Sequence, residues 1–277
     1  MKLFPFLAAV AIVVYAADTP AIFELHNVTV RQSEDGPVAG TGWHFQPGDK
    51  VWFSAQVAGY EKSDDGAIKL SYNVEARDPA DLLISPPATG TISTTVSSED
   101  KKWMPKIRAN FEVPQYALAG TYHVIIHVHD DLGKRDTQSG ASFTVDAPAI
   151  PPAGSIMIRN VRFLRSESGT PLQIAAYSPG DTIWVKFDIA GYKLAPGYSF
   201  DVSYGFKILR ADGQTAFEQP QAARQQKSSL YPQRYTPAVF SITTPPDMRR
   251  GSYTLLVEAR DNIGEQSTEA QSKFDIE

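Results

Sequence analysis

PGDKVWFSAQVAGY at residues 47–60 and PGDTIWVKFDIAGY at residues 179–192 are one stretch written twice. Seven of the fourteen positions are identical, and Val51/Ile183, Phe53/Val185 and Val57/Ile189 change only within the apolar class. The copies lie 132 residues apart. That spacing is too long for a solenoid repeat and suits a duplicated domain. In each copy Pro-Gly-Asp is turn chemistry: proline fixes φ, glycine supplies positive φ, and aspartate bonds nearby backbone. A period-two run follows. Val51, Phe53, Ala55 and Val57 alternate with Trp52, Ser54 and Gln56, as Ile183, Val185, Phe187 and Ile189 do with Trp184, Lys186 and Asp188. Strict alternation with β-branched residues predicts a half-buried strand in both halves.

The duplication extends outward from this stretch. Ile22–Val30 and Ile156–Phe163 read as opening strands that share an Asn-Val pair, Asn27-Val28 and Asn160-Val161. Leu70–Val74 corresponds to Val202–Phe206, and the second copy continues as a hairpin through Ala211-Asp212-Gly213 to Thr215–Phe217, where the first has Arg77-Asp78-Pro79. GTYHVIIHVHDDLG (120–133) then matches GSYTLLVEARDNIG (251–264), and the copies close on Phe143–Asp146 and Phe274–Glu277. Between these regions the copies diverge over 85–104, rich in Ser and Thr, and 218–237, rich in Gln, Arg and Tyr. Both divergent segments are expected to be loops, and therefore the places where binding specificity sits. The fold class expected is all-β, two tandem sandwiches, with no helix.

Met1–Ala16 carries a lysine and then an apolar run ending in Val-Tyr-Ala, the pattern of a secretory signal cleaved after Ala16. Uncleaved, that segment would be the chain's only membrane contact. The domains are then 21–146 and 155–277, joined by 147–154, where three prolines in eight residues predict a short semi-rigid spacer. There is no cysteine, so an exported chain of this kind depends on packing alone, and thiol chemistry is excluded. Residues 1–150 hold 12 basic and 18 acidic residues, a net −6; residues 151–277 hold 14 and 13, a net +1. Neither half has a basic stripe, which argues against nucleic acid as a partner.

Gly-Thr/Ser-Tyr, an apolar alternating strand and Asp-x-apolar-Gly together resemble the end of bacterial immunoglobulin-like or fibronectin-III-like domains. In that resemblance Tyr122 and Tyr253 would be tyrosine corners, and Asp130–Gly133 and Asp261–Gly264 the final hairpin turns. It implies immunoglobulin-like sandwiches in an exported or cell-surface protein and carries over no functional residue. Two features depart from it: there is no disulfide, and each copy exceeds the ~100 residues typical of the fold.

Candidate sites are few. Trp52 and Trp184 stand on the outward side of the repeated strand, where an exposed indole would be a platform for a sugar ring or a partner protein; covered by a neighbouring segment, each would belong to a small second core. His127 and His129 share a strand face about 6.5 Å apart, close enough for one metal, with His123 about 13 Å further along. Nothing identifies a third ligand, so the plainer reading is a polar outer face and no cofactor is expected. Asp64-Asp65 and Asp130-Asp131 lack calcium-loop spacing and read as solvated turn acids. Asn27-Val28-Thr29 matches a glycosylation acceptor by chance. No hydrolase elbow, zinc-protease motif, phosphate loop or dinucleotide fingerprint occurs. The expectation is a non-enzymatic binding or structural module, periplasmic, cell-surface or extracellular, engaging a protein or polysaccharide at the cell envelope. The alternatives are a carbohydrate-binding accessory module and a two-domain periplasmic chaperone of the pilus-assembly kind.

Overall fold

A computed structural model describes residues 22–97, 99–100, 102–149 and 154–277. The signal segment and residues 150–153 of the proline-rich spacer lie outside these. The first half runs β1 (Glu24–Arg31), β2 (His44–Phe45), β3 (Lys50–Ala58), β4 (Ala67–Arg77), β5 (Ala88–Thr95), β6 (Lys106–Glu112), β7 (Gly120–Asp130) and β8 (Arg135–Val145). The second runs β9 (Met157–Leu164), β10 (Ala176–Tyr177), β11 (Thr182–Ala190), β12 (Phe200–Arg210), β13 (Thr215–Lys227), β14 (Tyr235–Thr243), β15 (Gly251–Asp261) and β16 (Gln266–Ile276). One 3-10 turn, Pro196–Tyr198, is the only helical element among the described residues.

The pairing repeats strand for strand. A three-stranded sheet β1-β3-β6 and a five-stranded sheet β2-β8-β7-β4-β5 form the first sandwich. Sheets β9-β11-β14 and β10-β16-β15-β12-β13 form the second. In each, one two-residue strand pairs parallel to the last strand while its neighbours run antiparallel. Each tyrosine corner is closed: the Tyr122 hydroxyl donates to the Leu118 carbonyl at 2.8 Å, and Tyr253 to Arg249 at 2.7 Å. These are immunoglobulin-like sandwiches built twice.

The repeated strand is the centre of each core. Val51, Phe53, Ala55 and Val57 are at most 2% exposed, as are Ile183, Val185, Phe187 and Ile189. Its flanks explain two shared motifs. Asn27 and Asn160 adopt positive φ (49° and 54°) at a β-bulge, and each reaches across to the repeated strand. The Asn27 amide donates to Gln56 at 2.5 Å, and the Asn160 amide to Asp188 at 2.7 Å. Asparagine tolerates the left-handed region and carries the donor, so the Asn-Val pair is a bulge signature. At the strand's exit Gly59 and Gly191 have φ of 68° and 75°, and a Cβ there would lie 1.9 Å and 2.1 Å from a backbone oxygen of the incoming chain. That double restriction holds the Ala-Gly-Tyr ending constant.

The divergent segments are not loops throughout. Ala88–Thr95 and Thr215–Lys227 are edge strands β5 and β13, and only 96–105 and 228–234 remain as the connections into β6 and β14. Edge strands expose most of their side chains, so Ser, Thr and Gln replaced the apolar alternation that marks a strand.

The two sandwiches are locked by one of those connections. Tyr231, from the second half, is 7% exposed and belongs to the apolar core of the first. Its hydroxyl donates to Asp78 Oδ2 at 2.8 Å. Asp78 is itself buried, and its Oδ1 accepts the backbone N–H groups of Ala80 and Leu82 at 2.8 and 2.9 Å. The Arg234 guanidinium covers the Tyr231 ring 5.3 Å from its centroid, and Tyr116 meets Tyr235 edge-to-face at 4.9 Å. Tyr192, the last residue of the repeated stretch, holds the connection from behind by donating to the Gln233 carbonyl at 2.7 Å. Burying an aromatic ring and satisfying a buried carboxylate together make this a rigid junction. Tyr231→Ala removes both, at a cost of roughly 3–5 kcal/mol. Scanning calorimetry of the wild type is expected to give one cooperative transition and the variant two; a single unshifted transition in the variant would contradict the junction.

Candidate functional site

Each sandwich has a loop end, where the repeated strand exits through Ala-Gly-Tyr, and a corner end, which carries the tyrosine corner. The junction joins the corner end of the first sandwich to the loop end of the second. Among the described residues, the loop end of the first and the corner end of the second are therefore the free ends.

The loop ends are stitched by an aspartate at the end of β7 or β15. Asp130 is fully buried: Oδ1 accepts the N–H of Leu132 and Gly133 at 3.2 and 3.0 Å, and Oδ2 accepts the N–H of Glu61 at 2.8 Å and Arg135 at 3.2 Å. Asp261 repeats this with Ile263, Gly264 and Lys193. Asp130 is thus not the solvated turn acid expected from the sequence; a carboxylate that bonds two loops at once must sit between them. Burial pushes the Asp130 carboxyl up, but the Gly133 and Glu61 amides and the Arg135 guanidinium outweigh it and hold its pKa below the ordinary carboxylate value.

At the first free end a cleft of about 590 Å³ lies between Tyr60, Glu61, Lys62, Lys102, Trp103 and Met104. Tyr60, the counterpart of Tyr192, donates to the Trp103 carbonyl at 2.7 Å, and the two rings meet edge-to-face at 6.4 Å. Trp103 is 41% exposed. Beside it Glu99 and Asp100 are exposed, and among the described residues the Asp100 carboxylate has no side-chain hydrogen bond or ion pair.

At the second free end a cleft of about 590 Å³ opens among Arg210, Phe217, Ile242, Met248, Arg249 and Tyr253. Phe217 is 45% exposed and stacks on Phe206, which stacks on Phe240, so an aromatic ladder runs from the cleft into the core. Arg249 and Arg250 line an adjoining hollow of about 230 Å³. Among the described residues no carboxylate pairs with Arg210, Arg249 or Arg250.

Strand register shows that this cleft is the counterpart of the junction. Leu70 and Val202 pair with Asp130 and Asp261, which aligns Asp78 with Arg210. Tyr60 and its counterpart Tyr192 donate to the Trp103 and Gln233 carbonyls, which aligns Trp103 with Gln233 in the two connections. Tyr122 and Tyr253 coincide as the two corners. Ile84, bonded to Ala76 in the first copy, is 5% exposed; Phe217, opposite Ile208 in the second, is open. Among the described residues, the same end is filled in one sandwich and open in the other.

The residues singled out from the sequence lie elsewhere. Trp52 and Trp184 are half-buried on the outer face of the three-stranded sheets, with the Lys50 ammonium 5.6 Å from the centre of the Trp52 ring and Leu164 and Ser241 beside Trp184. The well-exposed tryptophans are Trp43 and Trp103, neither in the repeated stretch. His127 and His129 stand on the outer face of β7, where His129 Nδ1 lies 2.8 Å from Asp136 and His123 Nδ1 lies 3.0 Å from Ser142. Among the described residues no group of three or more His, Asp or Glu side chains is placed to hold a metal ion. The His123–Ser142 pair bridges β7 and β8 and lines neither cleft.

No family model matches the chain, and no curated protein does. Solved structures similar to it include the C-terminal domain of the AgI/II polypeptide BspA from Streptococcus agalactiae, at 10% identity and a TM-score of 0.30, covering 92% of this chain and 100% of that one. Another is the C-terminal domain of the antigen I/II-family protein AspA from Streptococcus pyogenes, at 9% identity and a TM-score of 0.29, covering 92% and 99%. At this identity and TM-score neither transfers a residue role, a ligand or a partner.

The stitched loop end has a measurable signature. Because its pKa is depressed, the stability Asp130 contributes is complete above the ordinary carboxylate pKa near 4 and is lost as pH falls through the lower folded value. Asp130→Asn is expected to cost roughly 2–4 kcal/mol at pH 7 and to flatten the acid loss in denaturant melts between pH 5 and pH 2. An unchanged acid limb would show that this carboxylate does not hold the loops.

Proposed function

We propose that this chain is a non-catalytic binding module of an exported protein, and that it engages a protein partner at the cell envelope through the open corner end of its second sandwich. The observation that supports this is the cleft around Arg210, Phe217 and Tyr253, which occupies the place where the first sandwich seats an aromatic loop. An apolar floor, one half-exposed phenylalanine and a rim of arginines without internal carboxylate partners are the features of a protein-binding hot spot. A lining of arginine, glutamine, threonine, tyrosine and apolar side chains, with Asp247 as its carboxylate, supports a binding role.

A carbohydrate-binding role has its own support in the exposed Trp103 beside Tyr60 and Glu61, a better platform than Trp52 or Trp184. Capture from envelope extract by the immobilised full chain, with the partner identified by mass spectrometry, separates the two. Binding is expected to fall at least tenfold, about 1.4 kcal/mol, in Arg210→Ala and Phe217→Ala and to persist in Trp52→Ala and Trp103→Ala. A glycan array that binds the wild type and loses it in Trp103→Ala, with protein capture indifferent to Arg210 and Phe217, would overturn the proposal.

A further inference from the structure

We infer that the partner at the open corner end presents an acidic segment with an aromatic side chain at its tip, a loop of another protein and not of a second copy of this chain. This deepens the reading of that cleft as a loop seat and rests on it. The first sandwich shows what a corner end takes. There the connection before β14 lays Tyr231 into the core, with its hydroxyl on Asp78 at 2.8 Å. An aromatic ring fills the apolar part of the seat, and its polar tip meets the residue at the end of β4.

The second seat keeps the apolar floor and changes its polar groups in one direction. Phe217 is 45% exposed and stacks on Phe206, so a ring can lie against it. Arg210 holds the place of Asp78. Arg249 holds the place of Leu118, because each supplies the carbonyl that its tyrosine corner bonds, and Arg250 follows it as Ala119 follows Leu118. A carboxylate acceptor thus becomes a guanidinium donor, and two neutral rim residues become cations. Arg210 makes one long contact to Gln214, at 3.4 Å, which leaves most of its N–H donors free. Opposing the three arginines are Asp247 and Asp212, and Asp212 closes its own turn by accepting the Gln214 N–H at 2.9 Å. The complement of such a seat is an apolar ring with carboxylates beside it, since a carboxylate pairs with a guanidinium through two parallel charge-assisted hydrogen bonds.

The chain's own loops do not meet that demand. A second copy of the connection before β14 would bring Tyr231 together with Arg234, whose guanidinium lies 5.3 Å from the centre of the ring and 3.3 Å from its hydroxyl. At the open seat that cation would face Arg210, Arg249 and Arg250. The connection before β6 reads Glu-Asp-Lys-Lys over 99–102, with no net charge to favour it. The exchange of Asp78 for Arg210 therefore separates the two seats: the inner one takes the chain's own neutral tyrosine loop, and the outer one repels a copy of that loop and selects an acidic one.

Short cyclic peptides with a central tyrosine, flanked by aspartate, by asparagine or by lysine, test this by fluorescence polarisation against the full chain. The aspartate peptide is expected to bind roughly tenfold more tightly than the asparagine peptide, with the lysine peptide weakest, and to lose that advantage in about 1 M salt. Replacing its central tyrosine by alanine is expected to weaken it by a similar factor. Arg210→Ala and Arg249→Ala, whose side chains are exposed and whose unfolding midpoints are expected to equal the wild type, bring the aspartate peptide down to the level of the asparagine peptide. Arg210→Glu combined with Arg249→Glu reverses the order, so that the lysine peptide binds best. Equal affinity for the three peptides, an acidic preference that survives in both alanine variants, binding indifferent to the central ring, or self-association of the wild type that is lost in Arg210→Ala would each overturn the inference. If the peptides show no acidic preference while envelope capture still depends on Arg210 and Phe217, the seat stands and only the chemistry assigned to its occupant is wrong.

Discussion

A single phenol–carboxylate contact, Tyr231 on Asp78, decides how this molecule is put together. A tyrosine of the second sandwich completes the core of the first, and its hydroxyl supplies the third hydrogen bond to a carboxylate that has no access to water. Neither group is comfortable without the other: Asp78 would keep a desolvated oxygen unpaired, and Tyr231 would lay its ring in solvent. The proline-rich spacer therefore joins two bodies whose relative placement is set by packing, and everything proposed about the free ends follows from the form of that junction.

Much of the fold was legible from period-two patterning, because β3 and β11 are buried on one face and their alternation is written in Val, Ile and Phe. The tyrosine corners were legible through the Gly-x-Tyr opening that the chain shares with the immunoglobulin-like domains it resembles. The edge strands were not. With one edge unpaired and most side chains in water, Ala88–Thr95 and Thr215–Lys227 have no apolar alternation to detect, and Ser, Thr and Gln make a strand look like a loop. Asp130 was misread for a related reason: an aspartate in a turn is usually solvated, and only the approach of the Glu61 loop from 69 residues away buries it.

The candidate site was less legible still. The repeated stretch drew attention to Trp52 and Trp184 because they are identical in both copies, yet identity here reflects a shared scaffold on which both indoles are half-covered. The ends matter where the copies differ. Both connections open on Ser-Ser, but they differ in length, and only the matched Tyr60 and Tyr192 hydrogen bonds set Trp103 against Gln233. What could not be seen was that Asp78 and Arg210 hold the same place at the corner ends of the two sandwiches; only strand register aligns them.

Hydroxyl-radical footprinting with mass spectrometry reads the central claim most directly, since it reports side-chain exposure residue by residue in solution. Tyr231 is expected to be oxidised as slowly as the core residue Tyr122, while Trp103 and Phe217, at the two free ends, react fast. Tyr231 reacting at the rate of Phe217 would mean that the loop is not seated in the first sandwich, and the junction and the proposals that rest on it would fail together.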